Sequence, residues 1–306
     1  MLTPADLERR RKYLTATDLP AILGVSPFKN GADVYYEKIS DGMQPIEAND
    51  AMEIGNYLEP SILAWADAEL GGVVPGGFEV HPGGILSCTT DGKRKSGGEP
   101  VEAKSHGIRG IADYGQWGPA GTDEIPEHYL WQAHTQITVT GAPRCYFPAL
   151  IGGRGFAMFI VERSERCCSG ILRVAEEFWN NHVVKRIPPE NQLPSLETLK
   201  RMRREPGKVV EVADEIVVDW LLARRDRLAA EKHEEDCKAA LIRALEDGDA
   251  GECSHGIIQY MQQTKRECVV KESTFRVLRP KISKERLSRL LEGGAVNLIT
   301  NGEAKS

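Results

Sequence analysis

Between residues 51 and 70 apolar side chains recur at Ile54, Leu58, Ile62, Trp65 and Leu70, close to the period that lines one face of a helix. Pro60 falls inside this run. A proline has no N–H and crowds the preceding turn, so the pattern predicts a kink or a fresh helix start there. Upstream, residues 17–40 read as two helices separated by a turn at Ser26-Pro27, the second passing through Val34, Tyr35 and Ile39. After residue 70 the period changes. Glycines at 71, 72, 76, 77, 83 and 84 punctuate short runs, and Phe78-Glu79-Val80 with Ile85-Leu86-Ser87-Cys88 reads as a hairpin pair. Residues 100–104 predict the next strand. Residues 105–124 are glycine-rich, contain Tyr114 and Trp117, and predict a long loop. Pro126 and Gly141 bracket a helix with the usual asymmetry of proline at the start and glycine past the end. On it Tyr129, Gln132 and Gln136 share one face, and Ala133 and Ile137 belong to the packing side. Strands over 144–151 and 155–162 and a helix over about 168–186 follow. The order of helix, three strands, helix, two strands, helix predicts a mixed α/β core.

Ile187-Pro188-Pro189-Glu190 interrupts every period and predicts a boundary, with one domain over 1–187 and an appendage over 188–306. Beyond it, residues 211–247 carry one long helical pattern through Val217, Trp220, Leu221, Leu228, Ala239 and Leu245, roughly 50 Å if unbroken. Asp247-Gly248 ends it. Residues 256–263 and 274–279 read as a short hairpin, residues 281–292 as a helix, and the stretch from Gly293 as a mobile tail. The appendage carries no catalytic pattern. It reads as a packing or assembly element, with a DNA-contacting arm as the alternative.

Composition narrows the classes. Of 306 residues 41% are hydrophobic and 27% charged, which predicts a globular chain able to bury a core. No apolar run reaches membrane-spanning length, and MLTPADLERRRKYL lacks an apolar leader core, so the expected location is the cytoplasm. Seven cysteines, an odd number without a CxxC, suit reduced thiols. Cys237, Cys253 and His255 have poor ligand spacing, and His81, His106, His128 and His134 lack HExxH or HxH logic; those histidines read as surface or capping residues. The net charge of −6 is not that of a general DNA-binding domain. Basic runs at Arg9-Arg10-Arg11-Lys12, Lys93-Arg94-Lys95 and Lys200-Arg201-Met202-Arg203-Arg204 read first as solvated faces. No GxxxxGK[ST] loop implies a motor.

The sharpest chemistry lies at Cys88-Thr89-Thr90-Asp91-Gly92, followed by Glu102-Ala103-Lys104. Alternate residues of a strand share a face, so Glu102 and Lys104 point the same way, with the Ala103 carbonyl between them. A hairpin from Asp91 brings its carboxylate beside Glu102. Asp91, Glu102 and the Ala103 carbonyl make a hard oxygen set suited to Mg²⁺, and Lys104 lies where it can hold or deprotonate a metal-bound water. Taken alone, this spacing reads first as an acid and a lysine on a solvated edge strand, because D…ExK occurs often by chance.

The flanking motifs add specificity. Gly55-Asn56-Tyr57-Leu58-Glu59-Pro60 precedes the set, and Pro126-x-x-Tyr129-x-x-Gln132 follows it, ending at Val139-Thr140-Gly141. With the opening Tyr13-Leu14-Thr15-Ala16-Thr17-Asp18 and Ile22-Leu23-Gly24-Val25-Ser26-Pro27-Phe28-Lys29, this order resembles the YqaJ-type viral recombinases, relatives of lambda exonuclease within the PD-(D/E)xK nucleases. The resemblance covers about residues 8–186. It departs at Thr90, where the family often has proline, and at His81, where lambda exonuclease has an acidic residue. It implies a restriction-endonuclease-like α/β core, a mixed central sheet flanked by helices, extended by the long helix and small hairpin. It implies a Mg²⁺-dependent exonuclease, with Mn²⁺ as a substitute, that degrades linear duplex DNA from a 5′ end in the bacterial cytoplasm. The exposed 3′ strand would go to a single-strand annealing protein, and the enzyme would be a homo-oligomer, a ring trimer. The resemblance also places Glu59 and Gln132 in the site, Glu59 as a further metal contact. It assigns a terminal 5′-phosphate to Arg10, Thr17, Ser26 and Lys29. Against that stands the plainer reading of Thr17 as a helix cap and Arg10 as solvated. Two other functions fit the same core: a structure-specific endonuclease, and a non-cleaving module that binds DNA ends or protein.

Overall fold

The computed structural model describes residues 4–46, 49–107 and 117–262. Tyr114 and the readings over 274–279, 281–292 and the tail lie outside the described residues. The chain divides into two compact units, residues 1–204 and 205–306.

In the first unit the described elements are α1 (Pro4–Arg11), β1 (Leu14–Thr15), α2 (Leu19–Ile22), α3 (Gly31–Ile39), α4 (Asp50–Leu70), β2 (Val73–Pro75), β3 (Phe78–Val80), β4 (Leu86–Thr89), β5 (Gly92–Arg94), β6 (Pro100–Val101) and β7 (Lys104–His106). They continue with α5 (Glu127–Thr140), β8 (Arg144–Ile151), β9 (Gly155–Glu162), α6 (Glu165–Phe178) and α7 (Leu196–Arg201). A small sheet runs β1-β4-β3, with β1 parallel and β3 antiparallel to β4. In the larger sheet β2, β5 and β6 are antiparallel neighbours, and β6 and β7 lie parallel along β8, which also pairs antiparallel with β9. This is the mixed α/β fold class expected, a mixed sheet flanked by helices.

Alternation along β8 explains the layering. Tyr146 faces Ala66 of α4 and Val101. Cys145, Phe147, Ala149 and Ile151 face Ala133 and Ile137 of α5 together with Phe159 and Val161. A second core under the small sheet joins Leu14, Leu19, Val34, Tyr35, Leu86, Ile171 and Phe178.

Two features differ from the sequence reading for local reasons. One 21-residue element, α4, runs through Pro60 without a fresh start. Asn49 Oδ1 accepts the Met52 N–H at 3.0 Å and caps one end, and Gly71, at φ 70°, closes the other; one lost ladder bond does not outweigh the remaining turns. The second is the strand expected over 100–104, which is broken. The registers Val101↔Tyr146 and Lys104↔Ala149 share one offset, so β6 and β7 are two pieces of one strand. Between them the Glu102 N–H still reaches the Tyr146 carbonyl at 2.9 Å. In a parallel ladder the Glu102 carbonyl would then take the N–H of residue 148. That residue is Pro148, which has none.

The helix expected over 168–186 starts earlier, where the Cys167 N–H bonds Ser164 Oγ at 3.3 Å, and it passes into a π-helical stretch over Trp179–Val184. Beyond the Ile187-Pro188 break the chain returns to the first unit. The Ser195 N–H donates to Asp33 Oδ1 at 2.7 Å, the Gln44 N–H to the Arg201 carbonyl at 2.9 Å, and Arg201 pairs with Glu37 at 2.9 Å. The sequence reading did not contain α7.

The second unit holds α8 (Asp214–Ala244) and the hairpin of β10 (Ala250–Cys253) and β11 (Gly256–Gln259). At 31 residues α8 extends about 46 Å, with Leu221 buried among Val217, Val218, Trp220 and Leu222. Among the described residues Gly256–Gln259 pairs with Ala250–Cys253, a strand the sequence reading did not contain. Ala-Gly-Glu-Cys carries little strand signal; adjacency across a two-residue turn makes the pair. No helix among the described residues is long and apolar enough to cross a membrane.

Candidate active site

Extending the β5–β6 register of Gly92↔Val101 by one step sets Asp91 opposite Glu102, where side chains of an antiparallel pair share a face. Asp91 Oδ2 accepts the Ala103 N–H at 2.8 Å, so a carboxylate fills the place of a strand partner where the ladder lapses. Glu102 is 4% exposed, and its two oxygens are fully engaged. Oε1 accepts from Lys104 Nζ at 2.7 Å and from Gln132 Nε2 at 2.5 Å; Oε2 accepts from Gln136 Nε2 at 2.6 Å. Gln136, itself fully buried, accepts the Cys145 S–H through Oε1 at 3.3 Å. Lys104 Nζ lies 5.3 Å from the Tyr129 ring centre and 5.9 Å from that of Phe147.

The charges do not balance. Burial and the Glu102 carboxylate push Asp91 up to about 8. Burial works against the Lys104 ammonium, but Glu102 and Asp91 outweigh it and hold its pKa above the ordinary value. Around neutral pH the group therefore holds an ion pair, Glu102–Lys104, and a protonated Asp91. Two neighbouring carboxylates in a largely desolvated site resist simultaneous ionisation; a divalent cation between them removes that resistance. On this ground the oxygen donors fit a hard cation.

Glu59, on α4, is close enough for its charge to raise Asp91 further. It does not join a compact ligand set: among the described residues no three His, Cys, Asp or Glu side chains are grouped for a metal. The structure thus brings together Asp91, Glu102, Ala103, Lys104 and Gln132, with Glu59 at electrostatic range. Gln136 and Cys145 were not in the sequence-derived set. Gln136 had a signal, an amide one turn beyond Gln132 on the same face.

The N-terminal candidates fall into three arrangements. Arg10 Nη2 donates to Thr17 Oγ1 at 3.0 Å, and Thr17 Oγ1 lies 3.1 Å from Thr15 Oγ1. Thr17 does not cap α2; the N-cap is Asp18. Ser26 Oγ accepts the Phe28 N–H at 3.2 Å, a turn contact. Lys29 Nζ is held by Asp18 Oδ1 at 2.5 Å and Glu37 Oε2 at 2.9 Å. Asp18 is 1% exposed and also pairs with Lys38 at 2.6 Å. Burial acts to raise Asp18, but the two lysines override it and hold the carboxyl well below the usual range.

The histidines correct the surface-or-capping expectation in part. His81 Nδ1 does accept the Gly83 N–H at 3.1 Å in a turn. His134 is buried and kept below the usual imidazole range by that burial. His106 packs 5.5 Å from Trp117, and His128 4.0 Å from Tyr129. Each basic run holds a paired member, Arg11 with Asp41, Lys93 with Glu79 and Arg201 with Glu37.

Residues 7–143, which carry most of this site, match the family model of the YqaJ-like viral recombinase domain. The resemblance read from the motifs is thereby met over that segment. An uncharacterized protein YqaJ of Bacillus subtilis (strain 168) is 24% identical over 230 residues, spanning 72% of this chain and 68% of that protein. Among solved structures, an alkaline exonuclease (LHK-Exo) from Laribacter hongkongensis shares 20% identity at a TM-score of 0.47, covering 60% of this chain and 94% of that one. A phage related exonuclease from Haemophilus somnus 129PT shares 14% identity at a TM-score of 0.39, covering 57% and 96%.

Proposed function

We propose that the first unit is a metal-dependent deoxyribonuclease that shortens linear duplex DNA from a 5′ end and leaves a 3′ single strand. The observation that carries this reading is the Asp91–Glu102 carboxylate pair, Glu102 buried and Asp91 half-buried, with Lys104 on the Glu102 oxygen. Asp91, Glu102 and the Ala103 carbonyl are the residues to hold Mg²⁺ or Mn²⁺, with Glu59 at the margin. Such an ion would supply Lewis-acid activation of a phosphoryl oxygen and of water.

The rest falls to the chain. Lys104, held protonated, donates to the attacking water or a phosphate oxygen and orients it. Gln132 and Gln136 fix Glu102 so that it does not turn toward Lys104 alone. The Ala103 N–H orients the Asp91 carboxylate. Arg10, with Thr17, forms the candidate for a terminal phosphate, which a guanidinium can take bidentately; Ser26 adjoins it in sequence, while the Lys29 ammonium is taken by Asp18 and Glu37. On this reading the protein acts on DNA ends in a bacterial cytoplasm beside an annealing protein, as a homo-oligomer such as a ring trimer.

Digestion of 5′- and 3′-labelled linear duplex with Mg²⁺, beside a closed circle, tests the reading. Nucleotide release from the 5′ label with the circle intact is expected. A cut circle indicates a structure-specific endonuclease on the same site. Retained DNA binding without any cleavage indicates an end-binding module and overturns the nuclease.

A further inference from the structure

Phe28 is 75% exposed, yet its backbone is held in its loop. Its N–H bonds Ser26 Oγ at 3.2 Å. The next residue, Lys29, is tied to Asp18 and Glu37, and Asn30 then opens α3 with a reciprocal capping box. An apolar ring fixed by polar anchors and left in water forgoes the burial that would otherwise stabilise it, which points to a partner.

The ring does not stand alone. Its centre is 5.7 Å from that of His128 at an interplanar angle of 82°, and His128 is 4.0 Å from Tyr129. Tyr129 in turn lies 5.3 Å from Lys104 Nζ. Three rings therefore lead from solvent to the amine that holds Glu102. His128 Nε2 is buried with no hydrogen-bond partner among the described residues. Burial, and then Lys104 and His106, keep that imidazole below its usual range, so it offers a neutral ring face and a free nitrogen. A row of exposed and half-buried rings beside a phosphodiester site suits unpaired bases, since every base has a face to stack.

We infer that Phe28, backed by His128, is a base-stacking platform that positions the nucleobase of the strand whose phosphate lies at Lys104. This rests on the nuclease reading above. It makes Phe28 a positioning residue that touches DNA and not the reacting atoms.

The test places 2-aminopurine at each of the first four nucleotides of a duplex end and reads its fluorescence on binding, in chelator so that no strand is cut. Wild type is expected to quench one position strongly. Phe28→Ala loses that quenching and raises KM roughly ten-fold, the effect of one stacked base, with kcat changed far less; Phe28→Trp restores both. Equal quenching and equal KM in wild type and Phe28→Ala overturn the platform. A loss in kcat alone, or a change in oligomeric state without loss of quenching, overturns it too and makes the ring a packing or inter-copy contact. Wild type that neither quenches nor cuts removes the nuclease reading itself, whereas wild type that cuts and Phe28→Ala that matches it removes this inference alone.

Discussion

Two acids in the first unit, Asp18 buried and Asp91 half-buried, have opposite fates. Asp18 sits between Lys29 and Lys38, while Arg201 and Lys29 serve Glu37. Cations there match or exceed carboxylates, and Asp18 stays ionised far below its usual range. At the other site Asp91 and Glu102 share one ammonium, Lys104. That group is one positive charge short, and Asp91 holds a proton up to about pH 8. The same residue types thus give a closed anchor in one place and an open cation site in the other. The stoichiometry of charge separates them, and burial alone does not.

The comparison breaks most readily at Glu102 and Lys104. Glu102→Ala or Lys104→Ala should lower cleavage of labelled duplex by at least about a hundred-fold, with DNA binding in a filter assay within a few-fold for Lys104→Ala. Near-normal turnover in Lys104→Ala would remove the lysine from the mechanism. Asp18→Ala should do the reverse. It leaves the buried Lys38 without its carboxylate and Lys29 with Glu37 alone, and should cost about 3–5 kcal/mol of stability by urea unfolding, a much larger loss than Asp91→Asn, which merely makes a protonated group permanent. Equal losses in the two variants would erase the distinction drawn here.

The third way to sharpen it is pH. Asp91 holds its proton more tightly folded than unfolded, because its folded pKa, about 8, exceeds the ordinary value of about 3.9. Its contribution is complete below the ordinary value and is lost as pH rises through 8. In chelator, the melting temperature should therefore fall between about pH 4 and pH 8 more in wild type than in Asp91→Asn. Mg²⁺, competing with that proton, should raise it more at pH 9 than at pH 6. A Mg²⁺ effect of the same size at both would show that the ion does not bind at Asp91. The smallest effect is expected at Gln136→Ala, roughly ten-fold in Mn²⁺ affinity by calorimetry, with Cys145→Ala weaker still.

What was legible in the sequence was what local pattern controls. β8 and β9 span the ranges read for them, and α5 lies between its proline and glycine as expected. The carboxylates and lysine followed from hairpin logic. The gap at Glu102-Ala103 did not, because its cause is Pro148 on a strand more than forty residues away. Gln136 was read only as one face of a helix; that its amide meets Glu102 depends on α5 crossing the sheet at that point. The Asp18 cluster was likewise hidden, since Lys38 and Arg201 come to it from distant segments.

That gap gives one amide an unusual duty. The Ala103 N–H donates to a carboxylate whose pKa is raised to about 8, while the Glu102 N–H one residue earlier donates to a carbonyl that never titrates. In a ¹⁵N-labelled sample the Ala103 resonance would move as Asp91 gains or loses charge, and Glu102 would serve as its internal reference. The backbone thus carries its own indicator of whether the site holds a proton or a cation, readable without substrate and without turnover.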